Sequence, residues 1–354
     1  MNTLLALVAT TTLLGGSAAT TTLNSNNKNL INLQEDQILV GFWHNFDDAI
    51  GYQGGLAKYI DLTEVPSEYT VINVSFMKSY NLGEMPTFIP LVATHPEMNQ
   101  DQKDEFFANE IKQLHAQGKK VVLSLGGADA HISLTVNQKD EFKNEILRLV
   151  EKFGFDGIDI DLEQSAIDEA DNQTVIPEAL IEIKETLAQQ GREFIISMAP
   201  EFPYLKTNKV GTSYLPYLEK LEGYYDYVSP QFYNQAGDGI NLQEEDRVEL
   251  GLDIYWLPQN DAELKGEFLY LIAKYIVEGV DNFYQIDANK LIWGLPSNED
   301  AAANGQVKTG DIKKATELLA AKDIKLKGLM TWSINWDKNT NYNFIEYYLK
   351  EFYA

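Results

Sequence analysis

From residue 37 onward, short apolar runs alternate with amphipathic stretches of helical period. Runs of a few apolar or β-branched residues read as strands, and apolar positions three and four apart read as one face of a helix. The strand candidates are residues 38–43, 70–76, 120–125, 154–163, 194–198, 227–233, 290–295 and 329–334. Between them, 102–117 predicts a helix with Phe107, Ile111 and Leu114 in one stripe and Gly118 as its stop. Residues 138–153 predict another, with Phe142, Ile146, Leu149 and Phe153 aligned. The segment 177–190 has Pro177 in its first turn and Gly191 just past its end, the asymmetry expected of helix termini. Further helices are predicted over 214–221, 264–278, 312–321 and 344–352, whereas 235–261 reads as a long loop. Eight alternating units without a composition break predict an α/β fold, a single (β/α)8 TIM barrel over residues 37–354. The competing doubly wound sheet would need a glycine-rich phosphate turn after its first strand, and none is present.

The chain has 354 residues and is 44% apolar, enough for one large core. Its 53 Asp and Glu oppose 28 Lys and Arg, a formal charge of −25. That balance argues against nucleic acid and anionic membrane as partners, because binding phosphate requires a basic footprint. The absence of cysteine removes disulfides, thiol catalysis and zinc–thiolate sites. The four histidines (His44, His95, His115 and His131) lack metal-ligand spacing, so no metal or other cofactor is expected. Residues 4–14 form an apolar run, followed by Ser17, Ala18 and Ala19 as a small-residue cleavage site. Residues 1–19 therefore read as a secretory signal, although no basic residue precedes the run. The Thr/Asn-rich stretch 20–36 reads as a flexible lead-in. An exported monomer is expected.

Chemistry concentrates in the strand at 154–163. Ile158, Ile160 and Leu162 alternate with Asp159, Asp161 and Glu163, so the three acids share one face. They form a ladder roughly 13 Å long. Like charges resist ionising together, a cost that a purely structural role rarely requires. Asp156 has the wrong parity to join them and reads as structural. In a TIM barrel the active site lies at the C-terminal ends of the strands. Those ends are rich in polar and aromatic residues: Ser124 to Gly127, Glu163, Met198 to Glu201, Gln231 to Asn234, and Thr331 to Trp336.

These motifs together resemble the glycoside hydrolase family 18 chitinases. The family's DxxDxDxE signature stands here as Asp156, Asp159, Asp161 and Glu163, and its SxGG signature as Ser124, Gly126 and Gly127. The Gln-Phe-Tyr-Asn end of the sixth strand and Trp332 on the eighth also match, and the resemblance spans residues 37–354. It implies hydrolysis of β-1,4 linkages between N-acetylglucosamine units by a retaining, substrate-assisted route, an exception to the two-carboxylate scheme. By this resemblance Glu163 is the acid and later the base. Asp161 orients the acetamido N–H, Asp159 shares a proton with Asp161, and Tyr233 holds the acetamido carbonyl. Trp332 forms the floor under the sugar.

Around this set, Ser124 is expected beside Asp159, and Gly126 and Gly127 in a tight turn beside the ligand. Met198 and Gln231 are expected to line the sugar site, with core packing as the other reading of Met198. Asn234 stands where many relatives carry Asp, and Phe42 where some carry Tyr. Trp43, Trp293 and Trp336 read either as sugar-stacking residues or as core. Only 33 residues separate the last two strands, too few for the small α+β domain that many relatives insert there. A compact enzyme with a shallow cleft and endo-type cutting of chitin or N-acetylglucosamine oligosaccharides is therefore expected. An endo-β-N-acetylglucosaminidase acting on glycoprotein or peptidoglycan glycans would share the ladder. A non-catalytic lectin would have lost Glu163, which is present.

Overall fold

A computed structural model describes residues 37–353 except 82. The expected signal and the whole of the lead-in lie outside the described residues. The strands are β1 (Ile38–His44), β2 (Val71–Met77), β3 (Lys120–Gly126), β4 (Gly157–Asp161), β5 (Ile195–Met198), β6 (Tyr227–Val228), β7 (Gly239–Asn241), β8 (Trp256–Pro258), β9 (Ile292–Pro296) and β10 (Gly328–Trp332). Eight of them form one parallel sheet in the order β6-β5-β4-β3-β2-β1-β10-β9. Parallel bridges from Val228 to Leu291 and from Gln231 to Gly294 bring its two edges together. The fold is a single (β/α)8 barrel.

The helices are α1 (Gln100–Ala116), α2 (Lys139–Phe153), α3 (Asn172–Gln189), α4 (Leu215–Lys220), α5 (Glu244–Leu250), α6 (Lys265–Glu278), α7 (Asp311–Ala320), α8 (Ile334–Asn339) and, after a π-helical stretch at Phe344–Leu349, α9 (Lys350–Phe352). Local chemistry sets their ends. Asn99 caps α1 by accepting from Gln102 N, and Asn99 N in turn donates to Gln102 Oε1. Gly154, at φ 87°, stops α2 and turns the chain into the acid strand.

Inside the barrel, Val40, Phe42, Val71, Val122, Ala199, Tyr227, Ile292 and Met330 form one core. Strand alternation sends their sequence neighbours outward to the helices. Trp43 on β1 accordingly packs on Phe107 of α1, with ring centroids 6.0 Å apart.

Several boundaries differ from expectation. α3 starts at Asn172, so Pro177 lies inside it rather than in its first turn. The Asn172 side chain anchors the earlier start: Nδ2 donates to Ile132 O and Ala166 O, and Oδ1 accepts from Leu134 N. The last strand stops at Trp332, because Ser333 caps α8 by accepting from Trp336 N at 3.3 Å. The stretch 235–261 is not featureless; it folds as the antiparallel pair β7–β8 with α5 between. The β9–β10 connection carries α7 and no inserted sheet. No helix among the described residues is long and apolar enough to cross a membrane.

Candidate active site

β4 carries the ladder up the inside of the barrel. Asp159 lies level with Ser124 on β3 and Ser197 on β5. Ser124 Oγ donates to its Oδ2 at 2.9 Å and Ser197 Oγ to its Oδ1 at 2.7 Å. Burial pushes the Asp159 carboxyl up to about 6, against the pull of both hydroxyls. One level higher, Asp161 is 3% exposed and accepts from Gln231 Nε2 at 2.9 Å. Burial first, then the charges of Glu163 and Asp159, hold its carboxyl well above the usual carboxylate range. Glu163 reaches the partly exposed rim. Burial and then the Glu201 carboxylate push it up to about 7, while Gln231 pulls the other way. Near neutral pH the ladder therefore keeps protons, and its acids titrate as a set.

The ladder's backbone is strapped from both sides. Tyr214 OH donates to Leu162 O at 2.8 Å and to Ile160 O at 3.2 Å. Gly127 N donates to Asp161 O at 2.9 Å. At Gly126, φ is 137° and a Cβ would stand 2.0 Å from Asp161 O. The turn after β3 thus needs glycine to press against the ladder itself, rather than only to clear space for a ligand.

Asp156 sits at the opposite end of β4. Its Oδ2 accepts from Val121 N at 2.8 Å and lies 2.8 Å from His115 Nε2, with Lys120 Nζ 3.4 Å from Oδ1. Those contacts staple β4 to α1 and β3.

Above the ladder, Tyr233 is 5% exposed, and burial and then Asp161 and Glu163 hold its phenol protonated. Trp332 points into the barrel mouth, stacked with Phe76 at 5.8 Å and tilted against Phe42 at 5.7 Å. Asp159, Asp161, Glu163, Gln231, Tyr233 and Trp332 thus share one end of the barrel.

Other expected site residues lie elsewhere. Trp43 has no exposed surface and donates Nε1 to Ile60 O at 2.9 Å, so it is core and stacks no sugar. Trp293 is likewise buried, against Phe352 at 5.6 Å. Trp336 is buried and donates Nε1 to Asp48 Oδ2 at 3.0 Å. Met198 is fully buried, and its parity is opposite to that of the inward Ser197, so it faces the helix layer. Ser124 has no exposed surface and serves Asp159, not a ligand. Asn234 is exposed, but its Oδ1 is taken by Ala303 N at 2.8 Å.

Sequence reasoning left Ser197, Glu201 and Tyr214 without roles. Ser197 shares the inward parity of Ala199, and Glu201 ends the fifth strand, so both carried a signal. Tyr214 carried none.

The family model described as glycosyl hydrolases family 18 matches residues 39–353. The chain is 44% identical over 317 residues to a chitinase of Enterococcus faecalis, covering 89% of this chain and 85% of that one. It is 27% identical over 343 residues to chitinase D of Niallia circulans, covering 86% of this chain and 60% of that one. Among solved structures, a family GH18 chitinase from Chromobacterium violaceum superimposes with a TM-score of 0.71 at 27% identity, covering 90% of this chain and 84% of that one. The parallel barrel, the acid ladder along β4 and these matches together place the chain in glycosyl hydrolase family 18, as a glycoside hydrolase.

Proposed function

We propose that this enzyme is a chitinase that cleaves β-1,4 linkages between N-acetylglucosamine units by a retaining, substrate-assisted route. The observation that carries the reading is the state of Asp161, the acid's neighbour. It is buried, hydrogen-bonded to Gln231 and inclined to keep a proton. Such a carboxyl is a poor nucleophile but a good partner for an acetamido N–H.

In this reading Glu163 donates its proton to the leaving glycosidic oxygen, and the substrate's acetamido oxygen attacks the anomeric carbon. An oxazolinium ion forms on the same sugar. Water, deprotonated by Glu163, then opens it with net retention. Asp161 orients the acetamido nitrogen and, once its proton passes to Asp159, offsets the developing positive charge. Asp159 shares the ladder's proton, Tyr233 holds the acetamido oxygen, and Trp332 floors the sugar. A raised carboxyl suits Glu163 to both roles, since a general acid works best with a pKa near the operating pH.

The β9–β10 connection has no second sheet to wall the cleft, which supports endo-type cutting. Export fits a polymer that cannot enter a cell.

The test is a product assay on chitin oligomers, an N-glycopeptide and peptidoglycan. Cleavage of the oligomers with retained anomeric configuration, and inhibition by a thiazoline mimic of the oxazolinium, is the expected result. Cleavage of the glycopeptide or peptidoglycan alone would move the substrate to those glycans. Dimer-only release from the outset on a long oligomer would sink the endo reading.

A further inference from the structure

Two buried polar side chains stand behind the strand end that presents Tyr233. Gln259, just after β8, has no exposed surface, and Lys265, at the start of α6, is 1% exposed. Gln259 Nε2 donates to Phe232 O at 2.9 Å, and its Oε1 accepts from Gln235 N at 3.1 Å. Lys265 Nζ donates to the same Phe232 O at 3.1 Å and to Gln259 O at 3.1 Å. One primary amide therefore ties down the chain on both sides of Tyr233, and the lysine locks that amide's own backbone.

The β9–α7 loop closes the other side. Asn234 N donates to Asn304 O at 3.2 Å, and Ala303 N donates to Asn234 Oδ1 at 2.8 Å. At Gly305, a Cβ would stand 2.5 Å from Tyr233 Cα and 2.3 Å from Gln259 Nε2. Only a glycine lets this loop pack so closely.

Burying a lysine is costly, and an apolar residue could fill the same space. Phe232 O belongs to the peptide whose nitrogen is that of Tyr233. Two donors on that carbonyl fix the plane from which the Tyr233 side chain departs. A small rotation there is magnified at the hydroxyl, and misplacing a reacting group by about 1 Å costs on the order of 10²-fold in rate.

We propose that Gln259 and Lys265 are positioning residues that, with Gly305, aim the Tyr233 hydroxyl at the substrate's acetamido group. This inference rests on the role given to Tyr233 above. It assigns a positioning purpose to the β7–β8 pair, whose end supplies Gln259.

Gln259→Met removes both side-chain hydrogen bonds at matched length. On a chitin oligomer it is expected to lower kcat on the order of 10²-fold and to change KM by less than about threefold. Tyr233→Phe supplies the other arm of a double-mutant cycle. In that background Gln259→Met is expected to cost less than about twofold more, because its effect runs through the hydroxyl. An equal cost in both backgrounds would overturn the proposal. Should Gln259→Met fail to fold, Gln259→Glu takes its place, keeping the acceptor and losing the donor.

A second readout is independent of turnover. 3-Fluorotyrosine placed at position 233 is expected to show a moved or broadened 19F resonance in the Gln259 variant. An unchanged resonance would overturn the bracket. If the wild-type enzyme cleaves no chitin oligomer, the proposed function falls, and the resonance alone then decides the bracket.

Discussion

The two ends of β4 carry the same kind of side chain and treat it in opposite ways. At the N-terminal end, Asp156 meets a backbone N–H, a histidine and a lysine. At the C-terminal end, Asp161 and Glu163 meet each other, Glu201 and one neutral amide. Donors and cations surround the first carboxylate, so its contacts hold strands and a helix together. Acids and apolar walls surround the others, so they hold protons. One signature thus joins a staple to a proton-holding ladder, and the neighbours decide which is which.

The largest effect is expected at the top of the ladder. Glu163→Gln should lower turnover of a chitin oligomer on the order of 10³-fold while binding changes little, as measured by steady-state kinetics and calorimetry. Near-normal turnover would place the acid elsewhere. Asp161→Asn should cost on the order of 10²-fold in kcat, because an amide cannot pass a proton to Asp159 and so cannot become the anion that offsets the transition state's charge. The pH profile separates the two ends next. Glu163 must be protonated to act as the acid, so kcat/KM should fall as pH rises through about 7. Asp156→Asn should leave that limb in place; a shifted limb would break the contrast.

At the bottom of the strand the expected loss is of stability. Asp156→Ala should cost about 1 kcal/mol in denaturant unfolding, since it leaves the buried Val121 N without its acceptor and releases His115 and Lys120, with kcat of the folded enzyme nearly unchanged. The last prediction concerns Asp159. Its carboxyl is raised from 3.8 to about 6 in the folded state, so folding favours its protonated form. The stability it lends is full below about 3.8 and is lost as pH rises through about 6. Asp159→Asn should therefore flatten the pH dependence of Tm in that window, and an unchanged slope would argue against the raised value.

Legibility followed the contrast between the faces of each strand. In β4 one face is acidic and the other aliphatic, so period-two reading separated Asp159, Asp161 and Glu163 from Asp156 correctly. In β1 both Phe42 and Trp43 are apolar, since the inner face meets the barrel core and the outer face meets helices. Parity is silent there, and Trp43 was open to a sugar-binding reading that its burial removes. Met198 fell to the same ambiguity. The β7–β8 pair has three residues per strand, too short for alternation to register. Gln259 and Lys265 lay beyond reach because their role depends on backbone carbonyls, which every residue carries.

The sequence alone determined the number and order of the barrel strands, the face that bears the acids and the end of the barrel where they gather. Those features follow from local periodicity and from strand polarity. Tertiary structure decided which acids keep their protons, which aromatics are core and which side chains aim Tyr233. Desolvation, mutual repulsion and hydrogen bonds to distant backbone depend on what the closed barrel brings together. A linear pattern does not encode them.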